Sequence, residues 1–487
     1  MKLDISLLNF YNSIRSFRSL VLGMSLLGAV GCATRNGIVH RYTETIGSGQ
    51  TWNSDGETKI IILIDGLSQS RLVRSLRNGD AKNIAKFFVL NGKPPQTAIA
   101  GFPSLTYPGL TSILTGLPVS EHQIFGNRVF LDDRVVKLES PRQWPLLQSY
   151  LREKSIFSRL RLERRRSVSF SYPFYEGSTA YVYRNFEAGV HYATEDYRLA
   201  DEKTLESAKR FFSQVPVQEW PDFVFIHLVS VDGIAHNDGD ASATSQKSFR
   251  VIDEQLDGLF YHFYAAKKLG RTVRVMLTSD HGFVQPQKTF LLDKFLDDIK
   301  FHGTLLNDRR VARIVLDKED VRESLVKQIS QRNEIELIGF KRKKGIWIQN
   351  SKGSGLIEFD HDSRACSVKT GNHSGRYRYV WRPNGGGSNI DTGFRCTEYF
   401  FNTSHIKSGL FSIPMLYEGI SGVPDNQLTL VAGVGVSFES ITGGEHGGIS
   451  SDEMVVPLLL HEEPDGFPSR PLGQFEIIDK FVYPNQH

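Results

Sequence analysis

The chain has 487 residues, with 40% hydrophobic and 23% charged, which is the make-up of an ordinary globular protein long enough for one large domain with an insertion, or for two. A formal net charge of +4 is small for this length and makes no case for a nucleic-acid binder, which would normally show a concentrated basic face, so no nucleic-acid duplex partner is expected.

Lys2, Arg15 and Arg18 precede an apolar stretch from Ser19 to Cys32. Basic residues, then a short apolar run, then small residues is the order of an export signal, and the run is short for a bilayer span. Ala29-Val30-Gly31-Cys32 reads as a bacterial lipobox, with Ala29 where Leu is commoner; Cys32 would then carry lipid and anchor the chain on the periplasmic side of the cell envelope. A signal cleaved nearby and a retained single span stand as alternatives. With Cys32 lipidated, Cys366 and Cys396 remain as a natural pair, able to form one disulfide in an oxidising compartment. Residues 1–32 are thus assigned to the signal and 33–57, polar with Gly47, Ser48 and Gly49, to a tether.

Lys59–Ile64 is a continuous apolar, β-branched run, the mark of a strand buried on both faces of a parallel sheet. Similar runs follow at Phe223–Val229, Val273–Leu277 and Leu428–Ala432, separated by helical stretches such as Glu202–Val215 and Ala243–Lys268. This alternation predicts an α/β fold, a mostly parallel central sheet flanked by helices. Short alternating segments and turn signals between 303 and 426 predict an inserted α+β cap, so that the core occupies 58–302 and resumes at 427–487. The basic run Arg161–Arg166 reads as a solvated helix end.

Acidic residues and histidines cluster where strands end. Asp65 follows the first strand, Asp232 and His236 the second, Asp280 and His281 the third, and His446 lies beyond the fourth. Each alone is a common turn, cap or core residue. Carboxyl ends of strands in such sheets line one crevice, and carboxylates gathered there repel one another unless cations sit between them. Carboxylate with neutral imidazole suits zinc. Between the first and second strands, Phe102–Gly116 holds Thr106 just ahead of Pro108, at the start of a helix predicted from Tyr107 to Leu114 and closed by Gly116. Free amides and the positive dipole end there favour a phosphoryl group and an alkoxide, although a plain helix cap is the simpler reading of that threonine taken alone. A threonine hydroxyl needs activation, which a metal would give.

With these residues in place the chain resembles the type I phosphodiesterase/nucleotide pyrophosphatase branch of the alkaline phosphatase superfamily, from about Lys59 to Leu460. The matching segments are Ile62-Leu63-Ile64-Asp65-Gly66, Phe102–Pro108, Thr111–Gly116, His122–Asn127, Asp232–His236, Asp280-His281, Glu445-His446-Gly447 and Met454–Leu458. The resemblance implies one zinc on Asp232, His236 and His446, another on Asp65, Asp280 and His281, and Thr106 bridging toward the second. It implies that Asn127 binds a phosphoryl oxygen, and that Thr106 attacks in line to give a phospho-threonine between cations about 4 Å apart. One departure stands out: relatives have Asn-His where this chain has Gly109-Leu110. Tyr172-Pro173-Phe174-Tyr175 falls where relatives contact substrate, as a stacking surface or as a packed loop.

The expected activity is hydrolysis of small-molecule phosphate esters, diesters or nucleotide pyrophosphates first and phosphomonoesters as the alternative. A sulfatase would need Cys or Ser before x-Pro-x-Arg, and the chain has Thr106-Tyr107-Pro108-Gly109-Leu110. A surface lipoprotein with a decayed, purely binding site should have lost a ligand, and all six are present.

Overall fold

The computed structural model describes residues 37–89, 95–151, 154–170, 173–181, 194–343, 345–351, 353–360, 365–370, 373–378, 409–469 and 471–484, with side chains between 355 and 414 outside that description. The signal and lipobox with Cys32, the side chain of Cys366, all of Cys396, and Tyr172 therefore fall outside it.

An eight-stranded sheet runs in the order Leu472–Gly473, Gln96–Ile99, Val455–His461, Thr272–Thr278, Glu57–Ile64, Phe223–Leu228, Ser167–Phe170, Ala180–Tyr181. All its pairings are parallel except those of Val455–His461 with its two neighbours. The apolar run at 60–64 explains its place at the centre: every side chain is fully buried. Successive residues of a strand face opposite sides, so Ile60, Ile62 and Ile64 pack into one core with Phe249, Leu256 and Phe263 of the Ala243–Lys268 helix. Ile61 and Leu63 pack into the other with Leu110, Ile113 and Ile478. The sheet is covered on both faces, as a parallel sheet must be.

A second eight-stranded sheet is antiparallel and spans 303–378, together with Gln427–Ala432. Gln427–Ala432 is thus a strand, but it lies between Val311–Leu316 and Ile335–Arg342 of this second sheet rather than in the parallel one. Its continuous burial arises because the centre of any two-faced sheet is apolar on both sides. The parallel sheet is rejoined only at Val455. The two sheets meet through Phe102 and Leu105 from the segment before Thr106, packed with Leu337, Ile348, Leu416, Ile420 and Val431. The segment that carries the threonine is therefore clamped from both sides.

Two other expectations change. Much of the expected tether is the helix Gly37–Ile46, docked on the core through Ile38 and a fully buried Tyr42. Tyr42 meets the Phe211 ring edge-on at 5.1 Å and donates its hydroxyl to Glu219 O at 2.5 Å. The apolar spacing Ile38, Tyr42, Ile46 is one helical face, which the nearby Gly/Ser residues obscure. In the basic run, Arg161 and Arg164 are exposed but Arg166 is buried, bonding Glu219 O at 3.0 Å. Among the described residues no helix is long and apolar enough to cross a membrane.

Candidate metal centre beside Thr106

Each candidate is placed by the chain immediately before it. Asp65 leaves the first strand with its amide bonded to Leu228 O at 2.8 Å. Gly66 turns the chain at φ 71°, where a Cβ would strike the Phe283 ring at 2.7 Å, so only glycine fits. Asp232 and His236 lie one turn apart on the helix Ser230–Asp238 and so share a face. Asp280 and His281 follow Thr272–Thr278, and His446 is held in a loop by the bridges Val284–Glu445 and Ser104–Gly447. Thr106 opens the helix Thr106–Thr115, closed by Gly116 at φ 72°.

These side chains come together. The Thr106 hydroxyl lies 3.2 Å from His281 Nε2. His281 Nε2 is 3.3 Å from Asp65 Oδ1, 3.4 Å from Asp280 Oδ2 and 3.8 Å from Asp232 Oδ1. Asp232 Oδ1 is 3.5 Å from both His236 Nε2 and His446 Nε2, and those two nitrogens are 3.1 Å apart. Among the described residues, two groups have all their donor atoms within 4.8 Å of one another: Asp65, Asp280, His281, and Asp232, His281, His446. The first is the set the resemblance implies. In the second, His281 is the third member and His236 flanks it. Asn127 Oδ1 accepts from Tyr107 N at 3.2 Å beside them.

The imidazoles turn their lone pairs inward. Nδ1 of His281 faces Gly282 O at 3.1 Å, and Nδ1 of His446 faces Ser104 O at 3.0 Å. A carbonyl accepts only from N–H, so Nδ1 carries the proton and Nε2 is left as an acceptor. His236 Nδ1 faces both Gly444 O at 3.0 Å and Arg309 Nη1 at 2.7 Å, which ask opposite things of it. The carbonyl bond is the one compatible with an inward lone pair, since Arg309 also has Glu445 at 3.1 Å.

The charge balance points to cations. Asp65 Oδ1, Asp232 Oδ1 and Asp280 Oδ2 are buried with no hydrogen-bond partner among the described residues. Burial raises Asp65 to about 7. Burial and then the Asp65 charge raise Asp280 to about 7, and the same causes lift Asp232 well above its ordinary value. Burial lowers His446, and burial with the Arg309 charge takes His236 down to about 3, so both rings are neutral. Carboxyl oxygens and neutral imidazole nitrogens facing one another, with burial and mutual repulsion disfavouring bare negative charge, form a cradle that divalent ions fit in place of protons.

The centre opens into a cavity of about 270 Å³ walled by Tyr107, Trp144, Tyr197 and Pro173 and edged by Arg128 and Arg309. Arg128 pairs with Asp308 at 2.8 Å and Arg309 with Glu445 at 3.1 Å. Of the described residues of that aromatic segment, Phe174 is core, Tyr175 stacks on Tyr181 at 4.2 Å and Pro173 walls the cavity. Sequence reasoning missed the two arginines and His227, whose Nε2 donates to Asp65 Oδ2 at 3.0 Å. A histidine within the apolar run Phe223–Leu228 was the available signal; the arginines gave none.

The family model described as type I phosphodiesterase/nucleotide pyrophosphatase matches residues 59–357. Ectonucleotide pyrophosphatase/phosphodiesterase family member 1 of Homo sapiens is 23% identical over 205 residues, 41% of this chain and 21% of that protein. Family member 3 of Rattus norvegicus is 24% identical over 197 residues, 38% of the chain and 20% of that protein, so the chain aligns with about a fifth of these relatives' length. Among solved structures, phosphonoacetate hydrolase from Sinorhizobium meliloti in complex with phosphonoformate superimposes with a TM-score of 0.55 at 14% identity, over 89% of this chain and 96% of that one. An inactive murine ectonucleotide pyrophosphatase/phosphodiesterase 5 in complex with AMP gives 0.56 at 14% identity, over 88% and 95%. These likenesses show the same fold. With the family model covering more than half of its length, this chain belongs to the type I phosphodiesterase/nucleotide pyrophosphatase family.

Proposed function

We propose that the chain hydrolyses phosphate esters, diesters or nucleotide pyrophosphates foremost, with Thr106 as the nucleophile that becomes transiently phosphorylated. The observation that carries this reading is the Thr106 hydroxyl standing 3.2 Å from His281 Nε2, at the edge of buried carboxylate oxygens that have no hydrogen-bond partner among the described residues. Asp65, Asp280 and His281 would hold one divalent ion and Asp232, His236 and His446 the other, with zinc the favoured ion for that donor set. When bound, the ions would supply the positive charge that stabilises the entering and leaving oxygens.

The chain's own groups do the rest. The helix Thr106–Thr115 opens at Thr106, so its positive end would favour negative charge on the Thr106 oxygen and on a phosphoryl group beside it. Because Asn127 Oδ1 takes the Tyr107 amide, its Nδ2 remains as a donor for a phosphoryl oxygen. Tyr107, Trp144 and Tyr197 form an apolar wall for the second substituent of a diester. Arg128 and Arg309 are each offset by a carboxylate, leaving little excess positive charge for a doubly charged monoester. Their presence at the cavity edge favours phosphomonoesters as the second reading. We assign the chain to the exported, lipid-anchored side of a bacterial envelope through Cys32.

The test is turnover of bis-p-nitrophenyl phosphate against p-nitrophenyl phosphate, with and without a chelator. Faster diester turnover, lost on chelation and restored by zinc, is expected. Faster monoester turnover moves the assignment to the second reading, and no turnover of either with zinc added removes both.

A further inference from the structure

One turn along from Thr106, the helix Thr106–Thr115 backs directly onto the loop that carries Asp280. The point of contact is Gly109, where a Cβ would lie 2.9 Å from Asp280 O, 3.1 Å from Asp280 Cβ and 3.2 Å from Gln474 Oε1. The space a side chain would fill at Gly109 is taken by Asp280 and Gln474.

Gln474 is fully buried, and its carboxamide is spent on backbone alone. Oε1 accepts from Gly101 N at 2.8 Å, while Nε2 donates to Ser279 O at 3.1 Å and to Asp280 O. An N–H on one side and two carbonyls on the other fix which way the amide points. The side chain is free for this because Glu476 caps the helix Gln474–Val482 in its place, through Gly473 N at 2.9 Å. Parallel pairing of Ala98 with Leu472 and Ile99 with Gly473 pins the chain just ahead of it. One carboxamide therefore joins the strand exit leading to Thr106 with the loop bearing Asp280 and His281, segments far apart in sequence.

We infer that Gln474 is a positioning residue, matched to Gly109, that sets the distance between the Thr106 segment and the Asp280-His281 loop. It touches no substrate; it acts by holding the two backbones that present the hydroxyl and the ligands. The inference rests on the metal reading above. Groups hydrogen-bonded to ligand side chains change metal affinity or activity by about 10–100-fold when removed, and an effect at the lower end of that range is expected of one that holds the ligands' backbone.

The full chain, stripped of metal, is titrated with zinc by calorimetry, alongside a thermal melt and kcat and KM for bis-p-nitrophenyl phosphate. Gln474→Met keeps the volume and removes all three hydrogen bonds. It is expected to weaken zinc binding by about 10-fold or more and to lower kcat with KM little changed. A lower Tm with zinc affinity and kcat unchanged overturns the inference, since that is all a purely structural role would give. If Gln474→Met does not fold, Gly109→Ala decides: it leaves the amide in place and wedges the same contact, so loss of zinc affinity supports the inference and unchanged affinity and kcat overturn it. A wild-type chain that binds no zinc marks failure of the metal reading itself.

Discussion

His281 and His446 stack face to face, with ring centres 3.6 Å apart and planes 8° from parallel. They approach from distant parts of the chain, and each turns its Nε2 toward Asp232, at 3.8 Å and 3.5 Å. The stack forms the seam between the two donor groups. Burial holds the His446 ring neutral, and a neutral ring can lie against its neighbour and still offer a lone pair to a cation.

Removing the hydroxyl at the edge of this seam should stop the chemistry and spare the centre. Thr106→Ala is expected to lower kcat for bis-p-nitrophenyl phosphate by on the order of 10³-fold or more while zinc content stays at the wild-type value. Steady-state kinetics with metal analysis on one preparation checks both halves; full activity would refute the nucleophile.

Asn127 separates donor from acceptor. Its Oδ1 serves the Tyr107 amide, so Asn127→Asp keeps that bond and loses only the Nδ2 donor. A fall in kcat of roughly 10²-fold is expected, with little change in Tm. Equal kinetics for Asn127→Asp and wild type would place the phosphoryl contact elsewhere.

Metal binding should release protons, and the pH range is set by the acids. Without metal, Asp65 and Asp280 hold protons up to about 7, well above the ordinary value near 4. His236, lowered to about 3, is already neutral there. In folding terms the raised carboxyls favour the metal-free fold at low pH and lose that contribution as pH rises through about 7. Cations need both carboxylates ionised, so zinc binding should release protons below pH 7 and progressively fewer above it. Calorimetry in two buffers of different ionisation heat measures this; release that increases with pH would contradict it.

The docked N-terminal helix carries stability and not chemistry. Tyr42→Ala empties a fully buried aromatic site and should cost about 3–5 kcal/mol in urea unfolding, leaving kcat unchanged. A loss under about 0.5 kcal/mol, the size of an ordinary surface change, would return residues 37–46 to a tether.

Much of this was legible in the sequence because it is local. A doubly buried strand is written as an unbroken apolar run, as at Ile60–Ile64, and a residue just past its end must sit at the crevice, as Asp65 does. The helix predicted over Tyr107–Leu114 spans Thr106–Thr115, because Pro108 and Gly116 punctuate it. What was not legible depends on partners far away. Nothing near Gln427–Ala432 says which sheet it joins, since both offer a two-sided apolar slot. Arg309, at a tight turn with φ 66°, reaches the centre only because the second sheet packs there. Gln474 reaches Gly101 across 373 positions, a pairing no periodicity encodes.

Asp65, Asp232, His236, Asp280, His281 and His446, gathered at one crevice, are expected to hold cations beside Thr106, and a zinc count checks this. Equilibrium dialysis followed by elemental analysis should find about two zinc ions per wild-type chain, and fewer in both Asp65→Ala and Asp232→Ala. A wild-type chain that retains none, or variants that retain as much as wild type, would contradict it.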